Sequence, residues 1–259
     1  MKHRFLLIIM VVFTGTLCAQ RDITKESMGV SLLDFHYTVQ FPEQDMAERF
    51  GVNSLLGAGY TYKTKHNWLV GIELNYIFSQ NIKNADSLLY DLEIHPGEFI
   101  ISNTGGSAEI RLHERGVNGY VKFGKLFPVL SPNPNSGFFA TVGVGYMGYK
   151  IRIDNVAGQA LLFADGPEGY NDYIKGYDRL TGGVALAENV GYLFLSNSRL
   201  WNFYVAADFM QGFTKNKRQY DFDRRSYTDQ STRHDFLYGI RAGWIFTIYQ
   251  RPPKDFYYD

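Results

Sequence analysis

The chain has 259 residues, of which 26 are Lys or Arg and 26 are Asp or Glu, so its formal net charge at pH 7 is zero. That balance leaves no excess of positive charge to follow a phosphate backbone, and nucleic acid is excluded as an expected partner. Aromatic residues make up 16% of the chain, 19 Tyr and 20 Phe against 3 Trp, and Cys18 is the single cysteine.

Residues 1–19 read as a secretory signal. Lys2, His3 and Arg4 form a basic start, Phe5 to Phe13 is an apolar run, and Ala19 supplies a small residue before Gln20. The alternative is a lipid anchor on Cys18, but the position before an anchored cysteine calls for a small residue and here holds Leu17. Cleavage after Ala19 would remove Cys18, leaving no disulfide, thiolate nucleophile or cysteine metal site. After the leader no apolar stretch approaches the ~20 residues of a spanning helix.

The rest of the chain, residues 20–250, carries about eight segments in which apolar residues alternate with small or polar ones: Gly29–Val39, Val52–Lys63, Trp68–Ser79, Gly116–Phe127, Gly137–Ile151, Thr181–Leu195, Leu200–Phe213 and Asp235–Tyr249. A period of two marks a half-buried strand. A soluble sandwich shows the same alternation, so the connections decide. The short links 64–67, 128–136 and 196–199 are rich in Asn, Pro and Ser, and they alternate with the long links 40–51, 80–115, 152–180 and 214–234. Strict short and long alternation predicts an all-β, transmembrane up-and-down antiparallel barrel of about eight strands. The expected location is the outer membrane, with both termini periplasmic and the long loops extracellular.

Each strand divides into two faces. Phe236, Tyr238, Ile240, Ala242, Trp244, Phe246 and Ile248 share the predicted lipid side of the last strand, opposite Gly239, Arg241, Gly243 and Thr247. The same division on the other strands places Asp34, Glu73, Lys122, Asp208 and Arg241 in the lumen as a candidate charge network. A Lys or Arg facing lipid near the midplane would cost ~2–4 kcal/mol. Glu188 is the exception, sharing parity with Val184, Leu186, Val190 and Tyr192, and a β-bulge or a shifted register is the expected explanation. An eight-stranded barrel is just wide enough to be filled by its own side chains, so opposite charges inside are expected to pair and close it.

Catalytic chemistry finds little support. His36 follows Asp34 by two, His113 precedes Glu114 and His234 precedes Asp235, but none has a serine at a spacing that fixes a hydrogen bond. Asp165, Glu168, Asp172 and Asp178 share a loop without calcium-loop spacing. Neither a metal nor a cofactor is expected.

The long loops hold apolar residues outside the membrane band: Leu88, Leu89, Leu92, Ile94, Phe99, Ile100 and Ile101 in one, and Leu161, Leu162 and Phe163 in the next. Such surface either packs as a cap over the barrel or docks a partner, and Leu88, Leu92 and Ile101 are candidate partner-binding residues on the second reading. The last long loop interleaves Lys215, Lys217, Arg218, Arg224 and Arg225 with Tyr220, Phe222 and Tyr227, a cluster that can clamp lipopolysaccharide phosphates or remain a solvated mixed-charge loop. Residues 251–259 form a tail in which Pro252 and Pro253 stop the ladder. Its Phe256, Tyr257 and Tyr258 are further candidates for capture by a periplasmic partner.

The stretches Asp45–Gly51, Lys125–Gly137, Lys175–Leu180 and Arg251–Tyr258 resemble a family of porin-like outer-membrane barrels of the Bacteroidota. The resemblance covers nearly the whole mature chain but rests on turns, loop borders and a tail. It implies a barrel of that phylum serving as an accessory subunit of an envelope machine such as the barrel-assembly complex. Function therefore divides into two classes: a non-enzymatic structural or adaptor subunit, in contact with outer-membrane lipids and with other outer-membrane or periplasmic proteins, or a small channel or lipid-modifying enzyme.

Overall fold

The computed structural model describes residues 25–83, 85–90, 100–102, 104–156, 172–197 and 200–249. The leader, Leu92, Leu161–Phe163 and the tail with Phe256, Tyr257 and Tyr258 lie outside these. The strands are β1 (Val30–Glu43), β2 (Asn53–Lys63), β3 (Trp68–Ser79), β4 (Ile100–Ile101), β5 (Ser107–Ala108), β6 (Ile110–Phe127), β7 (Gly137–Asn155), β8 (Thr181–Phe194), β9 (Phe203–Asn216), β10 (Tyr220–Asp221), β11 (Ser226–Tyr227) and β12 (Arg233–Tyr249). Eight of them close into one antiparallel barrel in the order β1-β12-β9-β8-β7-β6-β3-β2, because β1 pairs with both β2 and β12. The other four form two-stranded ribbons in the long loops, β4 with β5 and β10 with β11.

Several strands outrun the apolar alternation at the loop end. The β6–β7 ladder continues to Ile110↔Asn155, although alternation predicts strands starting at Gly116 and ending at Ile151. Backbone hydrogen bonding does not need an apolar outer face, so the ladder persists where outward Arg111, Arg115, Lys150 and Arg152 are charged, while Ile110, Leu112, Ile151 and Ile153 still pack inward against the loop-end cluster.

The outer surface is an apolar belt, with Leu74 69%, Ile240 67% and Val121 61% exposed. At the turn end it is bordered by the ring pairs Trp68–Phe123, Phe194–Phe203, Phe138–Tyr192 and Trp244–Phe246, with centroids 5.0 to 5.3 Å apart. Phe41 and Tyr238 stack at 5.4 Å toward the loop end. A closed barrel wrapped in such a belt, with aromatic rings at its borders, is built to cross a membrane.

Inside, the barrel is layered. A turn-end apolar cluster includes Val30, Leu32, Leu69, Leu126, Phe139, Leu193 and Ile245, and a loop-end cluster includes Phe50, Leu55, Ile77, Met147, Tyr149, Met210 and Leu237. Polar side chains occupy the middle. The turn end is further closed by the link between β6 and β7, which folds under the barrel: Asn133 donates to the Leu195 carbonyl at 2.7 Å, and the buried Lys63 ammonium donates to Asn135 Oδ1 at 2.9 Å and to the Met28 carbonyl at 3.2 Å. Gly137 re-enters the ladder there at φ +140°, where a Cβ would stand 2.2 Å from the Phe127 carbonyl oxygen. Only glycine fits that turn.

Candidate functional site

The middle layer gathers Asp34, Glu73, Lys122, Asp208 and Arg241 into one buried network. Period-two geometry turns each of them inward from five strands, and strand tilt brings them to a common height. Arg241, 2% exposed, is the hub. Its guanidinium donates to Glu73 Oε1 at 2.7 Å, stands 2.7 Å from Asp208 Oδ1 and donates to Thr38 Oγ1 at 3.2 Å. Lys122 Nζ donates to Glu73 Oε2 at 3.1 Å and lies 3.9 Å from Asp34 Oδ1.

Inward residues that the charge pattern does not single out complete the shell. Gln40 donates to Asp208 Oδ2 at 3.0 Å, and Tyr204 donates to Asp34 Oδ2 at 3.1 Å. Asn75 donates to Glu73 Oε1 at 2.8 Å and to Asn118 Oδ1 at 2.7 Å, which turns its own Oδ1 toward His36 Nε2, 2.7 Å away. The other ring nitrogen, Nδ1, is 2.8 Å from Asp34 Oδ2. Three carboxylates face the cations Lys122 and Arg241, and both ring nitrogens of His36 point at oxygen atoms, of Asp34 and Asn75. The signal for these partners is their inward parity. Which of them meet depends on register across strands, which local sequence does not carry.

Beneath the network a cavity of about 50 Å³ is lined by Asp34, Lys122, Asn189 and Tyr204 above and by apolar residues such as Leu32 and Phe139. It is water-sized.

At the loop end, Leu88 is only 1% exposed and packs in the cluster with Met46, Phe50, Ile100 and Ala108. As a candidate partner-binding residue Leu88 is therefore corrected: it belongs to a cap over the barrel. Ile101 pairs with Ser107 in the β4–β5 ribbon, and Leu92 and the three tail aromatics lie outside the described residues. The loops also bind each other. Phe222 packs against Tyr173 and Tyr177 at 5.2 and 5.7 Å, Arg179 pairs with Asp223, and Arg218 Nε donates to Asp178 Oδ1 at 2.8 Å. Arg218 is thus engaged within the cap, while Lys215, Lys217 and Arg224 of the basic cluster are exposed. Burial, with Asp223 next to it, pushes the Asp221 carboxyl above the ordinary aspartate range. A second buried group lies just below the cap, where Tyr149 and Thr214 both donate to Asp235 Oδ2, at 2.7 and 2.6 Å.

His113 lies 3.9 Å from Asp154, and His234 packs edge-on to Phe213 at 5.6 Å. Glu188 shows neither a bulge nor a slipped register: the β7–β8 and β8–β9 ladders run without interruption, pairing it with Val142 and Phe209, and its side chain is exposed on the lipid face.

No protein-family profile and no curated protein matches the chain. Among solved structures, the chain is similar to the attachment invasion locus protein Ail of Yersinia pestis crystallised with the heparin analogue sucrose octasulfate, at 12% identity and a TM-score of 0.39, over 85% of this chain and 99% of that one. It is also similar to the N-terminal β-barrel domain of Pseudomonas aeruginosa OprF, at 10% identity and a TM-score of 0.37 over 85% and 100% of the two chains. Neisserial surface protein A follows at 9% identity and a TM-score of 0.36, over 83% of this chain and 96% of that one.

Proposed function

We propose that this chain is an integral outer-membrane barrel that works by holding partner proteins in the envelope, as a structural or adaptor subunit of a biogenesis or transport complex, and not by conduction or chemistry. The observation that carries the reading is Arg241, which bridges Glu73 and Asp208 across the lumen at 2.7 Å each. An apolar layer lies on either side of that bridge. The turn end is assigned to the periplasm and the loop end to the exterior, where exposed Lys215, Lys217 and Arg224 suit contact with lipopolysaccharide phosphates.

With Leu88 buried, the partner-facing candidates are Leu92 and Ile101 on the loop side and Phe256, Tyr257 and Tyr258 in the tail. Purification of the full chain from its native membranes tests the reading, with a stoichiometric second protein expected and steady conductance in planar bilayers absent. Truncation after Arg251 is expected to release a periplasmic partner while the barrel folds. A lone native monomer, or steady ion flow, would reopen the channel or lipid-modifying-enzyme reading.

A further inference from the structure

Among the described residues Glu188 is the one charged side chain on the outer face between the two aromatic borders. It stands four residues, roughly 13 Å of strand, from Tyr192 at the turn-end border and four from Val184, which pairs with Tyr146 and Phe213 toward the loop end. That is the middle of the hydrocarbon, where an ionisable group is rare and marks a functional contact. A second outward polar residue, Gln211, lies diagonally across the β8–β9 ladder, since Glu188 pairs with Phe209 and Gln211 pairs with Leu186. Neither side chain has a hydrogen-bond or ion-pair partner among the described residues. One step toward the turn end, Ala140 and Ala207 flank Val190. Small side chains let a second membrane-embedded backbone approach closely.

We propose that Glu188 and Gln211 mark a docking face, on the outside of β7 to β9, for the membrane-embedded surface of a second protein that presents a lysine or arginine at this depth. The inference rests on the partner-holding reading and names the kind of surface held. Charge complementarity selects the occupant. A two-fold contact between copies of this chain would set Glu188 against Glu188. The chain's own outward cations do not reach this depth: Lys125 lies 4.8 Å from the Trp68 ring at the turn-end border, and Arg115 pairs with Phe78 and Lys150 at the loop end. Lipid head groups sit beyond both borders.

The test places a photo-activated cross-linking side chain at Phe209, with a control at Leu74, in the full chain in its native cells. One protein adduct is expected from position 209 and none from 74. Mass spectrometry should map it to a membrane-spanning segment with a Lys or Arg. The adduct should fall roughly tenfold or more in Glu188→Leu and Glu188→Gln, with the folded band on gels unchanged. In Glu188→Lys it should be lost, and a Glu in place of the partner's cation should restore it. An adduct of two copies of this chain, adducts with lipid alone, or an adduct undiminished by Glu188→Leu would each overturn the proposal. If native partners still co-purify with Glu188→Leu after the adduct is gone, the docking face falls and the partner-holding reading stands. If wild type has no partners, the underlying reading falls.

Discussion

Arg241→Met is the sharpest perturbation of the closed lumen. The variant keeps most of the side-chain volume and removes the guanidinium, leaving Glu73 with Lys122 at 3.1 Å and Asn75 at 2.8 Å, but leaving Asp208 with only Gln40 at 3.0 Å. Breaking a buried pair by removing one partner costs ~3–5 kcal/mol because the remaining charge is stranded, and Asp208 is the residue stranded here. Lys122→Met should cost less, ~1.5–3 kcal/mol, since Glu73 keeps Arg241 and the lost interaction is one hydrogen bond to a charged group. Replacing both members, Arg241→Met with Asp208→Leu, should recover most of the loss, because an apolar pair of similar volume carries no desolvation cost. Equilibrium unfolding of the lipid-reconstituted barrel in urea, followed by Trp fluorescence and by the heat-dependent gel shift, measures all three. An Arg241→Met barrel within ~1 kcal/mol of wild type, or a double variant weaker than the single one, would refute a lumen held shut by these ion pairs.

Other positions give independent checks. A Cβ at Gly57 would lie 1.8 Å from Asn75 Oδ1 and 2.3 Å from His36 Nε2, so Gly57→Ala should cost ~1–3 kcal/mol in the same unfolding assay by pushing both away from the network. Asn135→Ala removes the acceptor of Lys63 Nζ and of the Met28 amide, 2.9 and 3.0 Å away; a loss of ~1–3 kcal/mol and faster proteolysis at the turn end are expected. Leu88→Ala should cost ~2–5 kcal/mol where the loss is read locally, as faster proteolytic cutting of the 80–109 loop in intact cells, with the barrel still heat-resistant. Asp221 titrates above its unfolded value, so the β10–β11 ribbon is favoured with the carboxyl protonated and loses stability as pH rises from the ordinary aspartate range through the raised one. Asp221→Asn should therefore slow amide hydrogen exchange of residues 217–232 near neutral pH and leave it unchanged in acid.

The barrel was legible in the sequence because its evidence is local. A strand's two faces follow from the parity of its own residues, so the inward placement of Asp34, Glu73, Asp208 and Arg241 needed no knowledge of neighbouring strands. The lengths of the links separated turns from loops, and β3 runs over Trp68–Ser79 as the alternation predicts. Register and closure are not local. That Arg241 meets both Glu73 and Asp208, with Asn75 and His36 completing the shell, depends on the stagger between strands distant in sequence, which the closed ladder alone sets. The loops were ambiguous for the same reason. The apolar surface of Leu88 suits a partner or a cap equally until Met46 and Phe50 are seen around it. Glu188 shows the limit most clearly. Its parity points outward, but the cost of a charge on the lipid face makes a bulge or a shifted register the expectation, and only the unbroken pairing with Val142 and Phe209 decides that the carboxylate faces the membrane, because the direction of a strand side chain is determined by its ladder and not by what its own polarity would prefer.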